Sequence, residues 1–295
     1  MVAAEKELAY PQNRFATGKT ACQRGMSMSG QIIRRASCEK CTICTVHSRA
    51  ICHAASRDDL TELGTHSFQK SYRRNETIIA QGEYGRFVGN VVSGVLRLVK
   101  AMPDGRSQVV GLLYPGDFFG RVYGLHHGFA IEAASDASLC CIDRVRFEII
   151  LERSPDLERA LLVSALHDLT ATRETLAVLG CRDTMGRLAA FLLRTLRRVQ
   201  GGAGEPGDGS APVVTIPISR RDLADYLGTT IETISRHLQA LSRDGVVRIV
   251  NPRRFVILDM EWLMELAGET DETAARRSIL RKPVQPAAWQ IEAKI

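Results

Sequence analysis

The sequence predicts an α+β protein in which an antiparallel β-roll, a long helix and a winged helix-turn-helix domain follow one another. Three observations carry that expectation. Short apolar stretches separated by glycine turns fill residues 66–146, a helical period runs through 155–181, and two capped short helices meet at a glycine near 219–243.

The bulk numbers set the frame. At 295 residues the chain suits two domains with extensions. Its 45% hydrophobic and 24% charged residues are ordinary for a globular protein. No run of about eighteen apolar residues occurs, so no helical membrane span is expected. Met1 to Phe15 lacks the apolar core of a secretory signal, which points to the cytoplasm and to no membrane partner. A net charge of +6 favours polyanionic partners such as DNA.

Residues 1–36 are polar with no sustained period and read as a disordered extension; 37–55 hold a cysteine cluster. The β-roll is assigned to 56–150. Its strands are Thr77-Ile-Ile-Ala, Phe87-Val-Gly-Asn-Val-Val, Val95-Leu-Arg-Leu-Val and Gln108-Val-Val-Gly-Leu-Leu, with turns at Gln81-Gly-Glu, Pro103-Asp-Gly and Pro115-Gly-Asp. Residues 151–182 form the long helix. In it Leu162, Ala165, Leu169, Thr172, Leu176 and Leu179 step alternately by three and four, the spacing of a coiled-coil seam. Such a seam predicts a homodimer, with Thr172 as a buried polar interruption; the alternative is a stripe packed on the β-roll. The winged domain takes 183–268, with a helix over Met185–Val199 and a Gly-, Pro- and Ser-rich loop over Gly201–Pro212, and 269–295 is a tail.

Ser219-Arg-Arg-Asp222 is a capping box, and Thr229-Thr-Ile-Glu232 reads as a second one. Gly228 permits the turn between the two helices. Ile231, Ile234, Leu238 and Leu241 form the buried stripe of the second helix, leaving Glu232, Ser235, Arg236 and Gln239 outward. Arginine can bond a guanine edge with two donors and glutamate can accept from cytosine N4, so this face can read bases. Arg253 and Arg254 at the wing tip suit phosphates, which position without specifying.

Tyr226-Leu-Gly-Thr-Thr-Ile-Glu-Thr-Ile-Ser-Arg236 resembles the helix-turn-helix of CRP/FNR regulators, above all the FNR branch with its Glu-x-x-Ser-Arg. The order of elements matches as well, over about residues 55–268. The resemblance implies a cyclic-nucleotide-binding-like β-roll sensor domain. It implies that Glu232, Ser235 and Arg236 read each half of a palindrome of the type TTGAT…ATCAA in double-stranded DNA, with RNA polymerase as partner. Members that bind cyclic nucleotide grip its phosphate with an arginine. Here Pro115-Gly-Asp-Phe-Phe-Gly120 and His127-Gly-Phe-Ala-Ile-Glu-Ala133 supply none, so a cyclic nucleotide is not expected.

Five of the eight cysteines fall between Cys22 and Cys52. In a reducing compartment such a cluster points to metal or redox chemistry, because thiolates close in sequence chelate one centre at little loop-closure cost. Zinc and a thiol–disulfide switch are both open on the residues alone. Cys38-x2-Cys41-x2-Cys44 has a superficial likeness to a ferredoxin run, but Cys44 is followed by Thr-Val-His-Ser, and no nucleophile–base set appears, so an iron–sulfur enzyme is not expected. The resemblance to the FNR branch implies an oxygen-labile [4Fe-4S] cluster on Cys41, Cys44, Cys52 and Cys140, with Cys141 as the other choice for the fourth ligand. It also implies a cluster-bearing segment packed beside the long helix, tipping the monomer–dimer balance. A redox- or nitric-oxide-sensing regulator without such a cluster is the alternative. The resemblance leaves Cys38 a non-ligand, with that choice also open, and Cys22 and Cys181 are read as structural or incidental.

Overall fold

The computed structural model describes residues 41, 43–124, 126–200 and 211–269. The expected disordered extension, Cys22, Cys38, most of the loop Gly201–Pro212 and the tail beyond 269 lie outside the described residues.

Two 3₁₀ turns, His47–Arg49 and Ile51–Ala54, lead into helix α1 (Arg57–His66). Strands β1 (Ser67–Tyr72), β2 (Thr77–Ile79), β3 (Phe87–Ser93), β4 (Leu96–Ala101), β5 (Ser107–Leu113), β6 (Phe118–Phe119), β7 (Ala130–Ala133) and β8 (Ala137–Asp143) follow. They form two antiparallel four-stranded sheets, ordered β1-β8-β3-β6 and β2-β7-β4-β5. Their inward residues, among them Val91, Leu96, Phe119, Ile131 and Leu139, make one core. Helices α2 (Arg144–Glu152), α3 (Pro155–Cys181) and α4 (Thr184–Gln200) come next. The last domain holds β9 (Val213–Thr215), α5 (Arg220–Leu227), α6 (Ile231–Arg243), β10 (Val247–Asn251), β11 (Arg254–Ile257) and α7 (Met260–Ala267), with its strands ordered β10-β11-β9.

Helices α1 and α2 are absent from the sequence reading. Each is short, and each is announced by a cap instead of a period: Ser56 accepts from the Asp59 N–H, and Asp143 from the Arg146 N–H.

Along α3 only Leu157 is buried, against Phe147, Ile150 and Leu151. The same side of the helix continues through Asp168, which is exposed, and Thr175, which is half-buried. Partial desolvation, and then the charge of Asp117, pushes the Asp168 carboxyl up, and the Thr175 hydroxyl accepts from Arg194 at 2.7 Å. On another face, Leu162, Leu166, Leu169 and Leu176 stand 45–64% exposed in an apolar strip interrupted by Arg173. Leu162, Leu169 and Leu176 of the seam read in the sequence lie on this strip, Ala165 is exposed beside it, and Leu179 lies half-buried on the flank. Thr172 is also on the flank, where its hydroxyl donates to the Asp168 carbonyl at 2.8 Å. Its hydroxyl is thus satisfied within its own helix, and the exposed side chain between Leu169 and Leu176 on the strip is Arg173. Arg173→Leu should raise self-association and Leu169→Glu should lower it, with Thr172→Leu a lesser change, as read by sedimentation velocity.

Candidate nucleic-acid interface and cysteine centre

The reading unit is fixed from its ends inward. At the start of α5, Ser219 accepts from the Asp222 N–H at 3.0 Å while the Asp222 carboxylate accepts from the Ser219 N–H at 3.2 Å. Leu223, Ala224, Tyr226 and Leu227 are buried, and Gly228 ends the helix at φ +64°, a left-handed conformation that a β-carbon disfavours. Helix α6 is capped one residue later than expected. Thr230, not Thr229, accepts from the Thr233 N–H at 3.2 Å, so Thr233 rather than Glu232 is the third helical residue. The shift also turns Ile231 outward, 41% exposed, whereas Ile234, Leu238 and Leu241 are buried as anticipated.

That burial leaves Glu232, Arg236 and Gln239 exposed on one face, with Ser235 half-buried beside them. The Glu232 carboxyl is held below the usual carboxylate range by its own backbone N–H, then by the Thr230 hydroxyl and the Arg236 charge. At neutral pH it is an acceptor only. At the wing tip Asn251 Oδ1 accepts from the backbone N–H groups of Arg253 and Arg254 at 2.9 and 2.8 Å, which leaves both guanidinium groups in solvent. Beside α6 runs an open groove of about 790 Å³ lined by Thr184, Thr233, Arg236, His237, Gln239 and Arg243. Thr184 and His237, hydrogen-bonded at 2.8 Å, fasten the reading helix to the first turn of α4. No local signal marks this pair, because the partners are far apart in the chain and lie on different helices.

The second site lies between the β-roll and α3. Val46, Ala50 and Ile51 are buried and anchor the segment that carries Cys41, Cys44 and Cys52. Cys52 packs in the same cluster as Leu157 and Leu161 of α3. A cavity of about 50 Å³ is bordered by Cys41, Cys52, Cys140, Gly89, Phe147 and Leu157. Burial pushes the Cys52 thiol up to about 12, and the neighbouring Cys140, Cys41 and Cys44 thiols add to it in that order. All four cysteines are therefore within electrostatic reach of one point. Cys141 borders the cavity too, but it is wholly buried in the β-roll core, where burial first and Cys140 second push its thiol up to about 12. Gly89 on β3 is part of the same geometry. A β-carbon there would sit 1.9 Å from the Cys140 carbonyl oxygen, so only glycine lets the two strands close. Among the described residues no three His, Cys, Asp or Glu side chains converge tightly enough to grip a single ion.

Residues 186–266 match the Crp-like helix-turn-helix domain and residues 69–154 the cyclic nucleotide-binding domain. Transcriptional activator protein FnrL of Cereibacter sphaeroides is 34% identical over 234 residues, covering 79% of this chain and 94% of that protein. The chain belongs to the CRP/FNR family. A probable transcriptional activator of Rhizobium leguminosarum bv. viciae is 36% identical over 223 residues, 76% of this chain and 91% of the relative. The structure of FixK2 from Bradyrhizobium japonicum superposes with a TM-score of 0.61 at 32% identity, covering 68% of this chain and 96% of that one. As a CRP/FNR member the protein is a DNA-binding transcription regulator and not an enzyme. Among the described residues no helix is long and apolar enough to cross a membrane.

In this CRP/FNR regulator Arg236→Ala should weaken specific binding by about 1–3 kcal/mol and relax the preference at one base pair. Arg253→Ala should weaken all sequences alike and flatten the salt dependence. Titration of labelled duplexes, specific and random, at several salt concentrations separates the two.

Proposed function

We propose that the protein is an oxygen-responsive transcriptional activator. It binds a palindromic site as a homodimer, recruits RNA polymerase, and is switched by a [4Fe-4S] cluster on Cys41, Cys44, Cys52 and Cys140. The observation that carries the reading is the convergence of three thiols from one buried segment with a fourth from β8, beside the helix that bears the exposed leucine strip. Bound there, the cluster would supply an oxygen-labile tie between segment 41–54 and the β-roll. The chain's own residues do the rest. Val46, Ala50 and Ile51 hold the segment against the roll, and Phe147 and Leu157 wall off its inner side from water.

The donor set fits this group better than the alternatives. A single zinc needs its sulfurs about 2.3 Å from one point, whereas cluster ligands each take a separate iron and stand farther apart. Cys140 fits as the fourth ligand better than Cys141, since it is Cys140 whose charge bears on Cys52. A cyclic nucleotide is not proposed. The Asp117 carboxylate in the Pro115–Gly120 turn accepts from the Tyr114 N–H and from Arg198, each at 2.8 Å, so that arginine is already paired within the chain.

The reading extends to partners. Leu162, Leu166, Leu169 and Leu176 would meet their mates across a two-fold axis. Glu232, Ser235 and Arg236 would read each half-site, with Arg253 and Arg254 on flanking phosphates.

The test is a visible spectrum with iron and sulfide content, on protein purified without air. A broad thiolate–iron band that air bleaches is expected, and a colourless protein holding one zinc sinks the reading. Serine at Cys41, Cys44, Cys52 or Cys140 should abolish the band and anaerobic DNA binding. Cys141→Ser should retain both, and loss of the band in Cys141→Ser but not in Cys140→Ser reassigns the fourth ligand.

A further inference from the structure

The β-roll and the reading domain are joined through one arginine. Arg97 on β4 lies directly opposite Glu132 on β7. Its guanidinium gives Nε–H and Nη2–H to that carboxylate at 2.9 and 2.7 Å. The remaining arm, Nη1, pairs with Asp222, the residue that closes the capping box of α5. Both oxygens of Asp222 are thus engaged, one by Ser219 and the other by Arg97. The carboxylate is buried, and the ion pair is backed by apolar contact. Val95 and Val109 of the roll share one cluster with Leu223 and Leu227 of α5, and Gln108 Nε2 donates to the Asp225 carbonyl at 2.5 Å.

Apolar packing holds two bodies together but tolerates sliding. A planar fork bridging two carboxylates does not, because its donors have fixed directions. Glu232, Arg236 and Gln239 remain exposed in the docked arrangement, so it is compatible with reading DNA. We propose that Arg97 is a positioning residue for DNA recognition. It sets the orientation of α6 on the β-roll, and through it the separation of the two reading helices in the dimer. The inference rests on the dimeric, palindrome-reading function proposed above.

Arg97→Gln removes the charge and keeps a polar side chain. It is compared with the parent on three duplexes with the same half-sites, spaced natively or with one base pair added or removed. Each base pair moves a half-site by about 3.4 Å and rotates it around the duplex, so the parent should prefer one spacing. Arg97→Gln should lose about tenfold on that duplex and far less on the other two, flattening the preference. An equal loss on all three, or no loss, overturns the proposal, because a merely structural arginine changes the amount of competent protein and not its preference. Arg97→Lys keeps the charge but cannot bridge both carboxylates, and it serves if Arg97→Gln fails to fold. Flattened spacing preference then supports the proposal and parental preference overturns it. A parent indifferent to spacing overturns the palindrome reading and this inference with it. A discriminating parent beside an equally discriminating variant overturns this inference alone.

Discussion

Helix α3 has to satisfy two surfaces at once. Leu161 packs in the cluster that holds Ile51 and Cys52, and Leu162, the next residue, points away from the chain into the exposed strip. A helix turns about 100° per residue, so neighbours in sequence belong to different faces. The rod is stiff over the roughly 21 Å from Leu162 to Leu176. Any change in how segment 41–54 sits against Leu157 and Leu161 is therefore a change in the presentation of the whole strip. The same rod, through Asp168 and Thr175, faces the side chains of Arg198 and Arg194 on the helix that opens the reading domain.

The phase of β8 decides a second matter. In Ala137–Asp143 the side chains alternate, so Ala137, Leu139 and Cys141 enter the roll while Ser138 and Cys140 face its other side. The cysteine segment packs on that other side. Two adjacent cysteines thus acquire different chemistry from strand periodicity alone. Cys141 is a small apolar filler, and Cys140 lies within the field of three further thiols.

Much of this was legible in the sequence because its signals are local. The turns at Pro103-Asp-Gly and Pro115-Gly-Asp, the box at Ser219–Asp222 and the glycine at 228 each fix a few consecutive residues, and the strands and helices fall between them. What was not legible depends on packing partners remote in the chain. Cys140 and Cys141 could not be separated without knowing which side of β8 meets the cysteine segment. Which residues of α3 face outward besides Leu162, Leu169 and Leu176 is set in the same way. An apolar period has a direction only once Arg194, Arg198 and Asp117 claim another face. Arg97 and Asp222 stand 125 residues apart and read, singly, as a strand charge and a helix cap.

On the proposed function, pairing through the leucine strip has to be close to balanced, because a switch needs two states of similar free energy. Each of the four leucines is about half exposed, so pairing would complete burial for eight side chains, worth about 6–12 kcal/mol in all. Association itself costs about 4–15 kcal/mol, and Arg173 places a like charge on both copies near the axis. Gain and cost are thus of the same order. Under the proposed function, an added term from the cysteine segment, which touches the same helix one residue away, would decide between them. A tightly self-associating strip would leave that segment nothing to control, since a ligand moves an equilibrium only by the difference between its affinities for the two states.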